Sequence, residues 1–156
     1  MKPYADTNFF TKLYLVLPDS QFAEELMAVV GSQVLSPLPV TWLHRLEVVN
    51  ALELHVFGAR QVRQARVTSE QAAAAQANFR HDLSRPDFLR VAPLSHEILT
   101  ARFEEISLRH TARHGFRVYD VIHVASALLL ECDTFWSFDA KACRLAVLEG
   151  LKLAAR

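Results

Sequence analysis

Apolar positions along the chain change their period several times, and each change marks an element. A short apolar lead ending at Ala5 predicts a strand over Lys2–Ala5. Helical spacing then carries Phe9, Phe10, Leu13 and Leu17 along one face from Thr7 to Leu17, where Pro18 stops it. Asp19 is placed to cap a second helix to Val30, closed by Gly31, and Val34–Ser36 reads as a second strand. Beyond Pro37 and Pro39, Thr41 caps a long helix to about Phe57, closed by Gly58. Thr68 and Gln71 match a capping box and open a helix to about Leu83. Phe88–Val91 is a third short strand, and Ser95 caps a helix to about His114, stopped by Gly115. Asp120 opens a helix to about Glu131, Thr134–Ser137 is a β-rich aromatic stretch, Asp139–Leu148 is helical, and Leu151–Leu153 is a last strand. Short apolar strands alternating with helices predict an α/β layer fold with a mostly parallel sheet.

Composition narrows the class. The chain has 156 residues, 51% of them hydrophobic, with only four Gly and six Pro, which suits a packed core rather than a disordered or fibrous chain. No repeat, linker or low-complexity tract divides it, so residues 1–156 are read as a single domain. Zero formal net charge argues against a protein that coats nucleic acid through bulk charge and leaves room for a local patch. The cations lean to Arg over Lys, a weak pointer to bidentate phosphate contacts. Cys132 and Cys143 form no paired spacing and read as small buried residues. Asp6 and Lys12 interrupt the opening apolar stretch, so no signal peptide is expected. The longest apolar run, Val121 to Leu130, is short of the roughly 20 residues a bilayer needs. A cytoplasmic, reducing setting without membrane association is the expectation.

The chemistry sits in four carboxylates. Asp6 and Asp139 each follow a predicted strand end, and Asp120 opens a predicted helix, so all three can face the carboxyl edge of the sheet, where open α/β folds collect function. Each is also in a favoured helix N-cap position, and taken singly the cap is the better explanation. Glu47 differs, because it lies mid-helix in an apolar stretch where capping cannot account for it, and Asn50 is one turn onward as a partner. Four converging carboxylates would repel one another unless a cation lay among them. Oxygen donors of this kind suit Mg²⁺ or Mn²⁺, which activate water for attack on a phosphodiester.

Asp-Thr-Asn at Asp6–Asn8, a mid-helix Glu47, the stretch from Tyr119 through Leu128 and Trp136-Ser137-Phe138-Asp139 stand in one order along the whole chain. Together they resemble the PIN-domain nucleases, and most closely the VapC-type toxins of prokaryotic toxin–antitoxin pairs. The resemblance implies a three-layer α/β/α fold with about five mostly parallel strands, and an endoribonuclease that uses Mg²⁺ or Mn²⁺. It further implies that Asp6, Glu47, Asp120 and Asp139 are the acidic quartet, with Thr7 and Asn8 orienting the first aspartate and Ser137 supplying a hydroxyl. RNA as substrate, a cognate antitoxin and a homodimer are implied in the same way. A non-catalytic interaction module on this fold, or an RNA-processing nuclease without an antitoxin, are the alternative readings.

Basic side chains and one histidine add detail. Arg117 lies three residues before Asp120, close enough either to offset acidic charge and meet a phosphate or to join a solvated helix face. Arg109 and Arg113 read as that solvated face, paired with Glu104 and Glu105, and Arg60, Arg63 and Arg66 recur every three residues as a second basic stretch. His123, one turn after Asp120, reads as a buried histidine satisfied by backbone, with a supporting role at the site as the alternative.

Overall fold

The computed structural model describes residues 1–32, 35–61 and 67–154. The chain runs β1 (Pro3–Ala5), α1 (Thr7–Tyr14), α2 (Ser20–Gly31), β2 (Leu38–Val40), α3 (Trp42–Gln61) and α4 (Ser69–Leu83). It continues through β3 (Leu89–Val91), α5 (His96–His114), α6 (Val118–Leu129), β4 (Thr134–Trp136), α7 (Ala140–Leu148) and β5 (Lys152–Leu153). The alternation of strand and helix is the one the apolar pattern predicts.

Local chemistry sets the ends. The Thr68 hydroxyl accepts from the Gln71 N–H and the Gln71 side chain accepts from the Thr68 N–H, so the capping box forms as expected. Gly115 stops α5 in the left-handed conformation at φ 67°. Helix α1 ends earlier than Leu17, because the Ser20 hydroxyl donates to the Leu15 carbonyl and accepts from the Leu17 N–H, tying the segment before Pro18 into a turn. Helix α3 continues through Gly58, since a helical glycine costs only about 1 kcal/mol against alanine and no proline follows to stop it. The second strand lies at Leu38–Val40, later than Val34–Ser36; residue 34 itself, like Arg63 and Arg66 and the side chain of Arg60, is outside the described residues.

Among the described residues all strand pairing is parallel, in two sheets ordered β1-β4-β5 and β2-β3. This corrects the expectation of one continuous sheet. Strand β1 lies beside β2, yet among the described residues no ladder joins them. Prolines explain the seam. Asp6 N–H donates to the Trp136 carbonyl, so by alternation Pro3 and Ala5 face the β2 side. Leu38 N–H and the Val40 carbonyl bond to the β3 side, so Pro39 faces β1. Both strands therefore turn a residue without an N–H toward the seam. His44 spans it instead: its Nε2 donates to the Ala5 carbonyl at 2.8 Å, and its Nδ1 accepts from the Thr41 N–H at 3.0 Å.

The sheet has helices on both faces. Tyr4 and Phe135, opposite each other in the β1–β4 register, join Ile106, Val124 and Leu145 of α5, α6 and α7 in one core. Their neighbours Ala5 and Trp136 point the other way, into a second core with Phe9, Phe10, Val30, Leu52 and Phe79 of α1 to α4. Full burial of each such aliphatic or aromatic side chain is worth about 1.5–3 kcal/mol, which fixes the layers and the strand register together. The expected α/β/α layering is therefore present.

Candidate active site

The carboxyl ends of β1 and β4 feed α1 and α7 at the same edge of the sheet. A cavity of about 540 Å³ opens there, lined by Asp6, Glu47, Asp120 and Asp139 from four different elements. Thr7, Asn8, Arg117 and His123 line it as well. Ser137 lies behind the lining and reaches in through Asp6, to whose Oδ2 its hydroxyl donates at 2.5 Å. Asn50 is exposed and outside the lining. Glu47 finds its partners on α1 and α6 instead, which corrects the pairing expected from helical spacing.

Two of the carboxylates are caps and more than caps. Asp6 spends Oδ1 on the Phe9 N–H at the start of α1, and Asp139 spends Oδ1 on the Lys141 and Ala142 N–H groups at the start of α7. The second oxygen of each accepts from a side chain, that of Asp6 from the Ser137 hydroxyl and that of Asp139 from Arg117. Asp120 does not open α6 as expected; it is the third residue of that helix, and its Oδ2 accepts from the Arg117 N–H at 2.9 Å. Glu47, in the middle of α3, accepts on Oε2 from the Thr7 hydroxyl at 2.8 Å and from His123 Nε2 at 2.7 Å. Thr7 thus orients Glu47, where Asp6 was the expected neighbour.

Arg117 is the local counter-charge. Its Nη2 donates to Asp120 Oδ1 at 3.0 Å and to Asp139 Oδ2 at 2.5 Å, while Nε donates to Asp120 Oδ2 at 3.2 Å. Burial works upward on the Asp139 carboxyl, but the Lys141 N–H and the guanidinium hold it below the ordinary value. Asp6 goes the other way: burial raises it, only partly offset by nearby His123 and the hydrogen bonds from Ser137 and Phe9. Arg109 belongs to the solvated face as expected, bonded to Glu105 and Glu149.

The donor set is all hard oxygen, which fits Mg²⁺ or Mn²⁺ held through one or two carboxylates and water. Among the described residues no three His, Cys, Asp or Glu side chains form a closed metal cluster. Each of the four carboxylates accepts from a protein donor: Asp6 from Phe9 and Ser137, Asp120 and Asp139 from Arg117, and Glu47 from Thr7 and His123.

Several contributors carry no sequence signal. Lys12, His55 and Tyr119 line the cavity, and buried Tyr4 meets His123 Nδ1 through its hydroxyl at 2.9 Å. His123 is therefore held by side chains, not by backbone as expected. Its spacing from Asp120 flagged it; nothing in the sequence ties it to Tyr4.

No protein-family model matches the chain, and neither does any curated protein. Among solved structures, VapC20 of Mycobacterium tuberculosis, a toxin that cleaves the sarcin–ricin loop, aligns with a TM-score of 0.63 and 17% identity. That alignment covers 91% of this chain and 93% of VapC20. VapBC2 from Rickettsia felis, solved bound to a DNA fragment from its promoter, aligns with a TM-score of 0.60 and 17% identity over 99% of this chain and 98% of its own. No helix among the described residues is long and apolar enough to cross a membrane. Over nearly its whole length, the chain has the fold of the VapC-type PIN-domain toxins.

Proposed function

We propose that this protein is a Mg²⁺- or Mn²⁺-dependent endoribonuclease, the toxin of a VapBC-type toxin–antitoxin pair. The observation that carries the reading is the convergence of Asp6, Glu47, Asp120 and Asp139 on one cavity at the carboxyl edge of the sheet. The fold shared with an RNA-cleaving toxin supports the same substrate class. These four carboxylates would hold the ion, which when bound supplies an activated water and neutralises the leaving oxygen. The remaining work falls to the chain. Ser137 and the Phe9 N–H hold Asp6, Thr7 and His123 hold Glu47, and Arg117, whose Nε and Nη2 are committed to Asp120 and Asp139, has Nη1 left to meet a phosphate entering beside Asp120. Asn8 and Lys12 on the same wall complete a polar entrance.

An antitoxin and a second copy of the chain are the partners this reading assigns. Support comes from α3, which leaves Leu46, Leu54 and Phe57 more than half exposed, Leu54 in the lining of the cavity itself. A non-catalytic module is the second reading, favoured by the absence of a closed metal cluster among the described residues.

The test is cleavage of total RNA by the isolated protein with Mg²⁺ or Mn²⁺, against EDTA and against Asp6→Asn and Asp120→Asn. Discrete fragments that need the metal and vanish in both folded variants are expected, together with weaker Mn²⁺ binding. Full activity in either variant removes the quartet. Metal binding without any cleavage moves the protein to the second reading.

A further inference from the structure

Glu47 is unlike the other three carboxylates, because it sits mid-helix on a long side chain with no cap to steady it. Both of its donors converge on one oxygen, Oε2: the Thr7 hydroxyl at 2.8 Å and His123 Nε2 at 2.7 Å. Since a carboxylate only accepts, His123 must carry its proton on Nε2. The far side of the ring is then fixed by the Tyr4 hydroxyl, 2.9 Å from Nδ1. The ring cannot swing: it is 4% exposed, with the His44 ring centred 5.0 Å away and the Tyr4 ring 5.9 Å away. A chain of buried side chains thus runs from the sheet core to the cavity and ends on one oxygen of Glu47.

We propose that His123 is a positioning residue, which with Tyr4 behind it pins Oε2 of Glu47 and leaves Oε1 as the oxygen offered to the cavity. The inference rests on the reading of Glu47 as a cation-holding carboxylate. Partners of this kind, placed behind the groups that meet a metal ion, commonly change its affinity by about 10–100-fold when removed.

Two amide substitutions separate positioning from packing. Asn and Gln both keep a polar side chain in the buried slot. Only Gln is long enough to bring an N–H to where Nε2 now stands. Mn²⁺ is titrated calorimetrically into the wild type, His123→Asn, His123→Gln, Glu47→Gln and the double variant His123→Asn/Glu47→Gln, each shown folded by its thermal melt. His123→Asn is expected to weaken Mn²⁺ binding by about 10–100-fold, His123→Gln to recover most of the loss, and His123→Asn to add nothing once Glu47 is already Gln. Equal losses in the Asn and Gln variants, or a full further loss in the double variant, would overturn the proposal while leaving the quartet standing. Wild-type affinity in Glu47→Gln would instead remove Glu47 from the cation site, and this inference with it.

Discussion

Arg117 gives one guanidinium to carboxylates on two helices, touching both oxygens of Asp120 and one of Asp139. Its side chain is 62% exposed, so these pairs add at most about 1 kcal/mol to stability. Their larger effect is electrostatic, because a fixed positive charge beside two acidic oxygens opposes a second cation there. Arg117→Ala is therefore expected to tighten Mn²⁺ binding several-fold at low salt, read by calorimetry, while weakening affinity for RNA. Looser metal binding in the variant would give Arg117 a purely supportive part. At this scale the sequence was informative where chemistry is local. Asp6 and Asp139 were legible because a strand end followed by Asp is a local pattern, and both do cap their helices. Glu47 and His123 are 76 residues apart, and no periodicity could have paired them.

Helices and strands were legible to the extent that their stop signals are chemical. The Thr68 box and Gly115 hold where read, whereas Gly58 is only a weak stop and α3 runs past it. Thr68→Ala removes one half of the box and is expected to lower stability by about 1 kcal/mol in urea unfolding, with an unchanged dependence on denaturant. A loss well below this would mean that α4 is held mainly by its packing through Ala72, Ala75 and Phe79. The seam in the sheet was in principle readable, since Pro3 and Pro39 are plain in the sequence. What was missing was the knowledge that β1 and β2 lie side by side, which only the topology supplies.

In the whole molecule the seam makes acid a threat. His44 is fully buried and neutral, with Nδ1 accepting from Thr41 and Nε2 donating across to Ala5. Burial, with His123 nearby, pulls it from the ordinary 6.5 down to about 3. In the unfolded chain it takes a proton near its ordinary value, so between those limits the unfolded state binds more protons. Its contribution is therefore present above pH 6.5 and is lost as pH falls toward 3, by on the order of 4 kcal/mol. Urea unfolding at pH 7, 5 and 4 should show that fall, and His44→Gln should flatten it. An unchanged slope in the variant would place the acid sensitivity elsewhere.

The two cores also differ in when they can form. The one behind Ala5 draws chiefly on α1 to α4, whereas the one behind Tyr4 draws on α5 to α7. Asp6 and Glu47 belong to segments that leave the ribosome early; Asp139 caps the last helix described. Until β4 slides in beside β1, the cavity has no far wall and Arg117 has nothing to bridge to on α7. A half-made chain thus carries half the acidic set and no enclosed site, and synthesis itself delays whatever the finished cavity does.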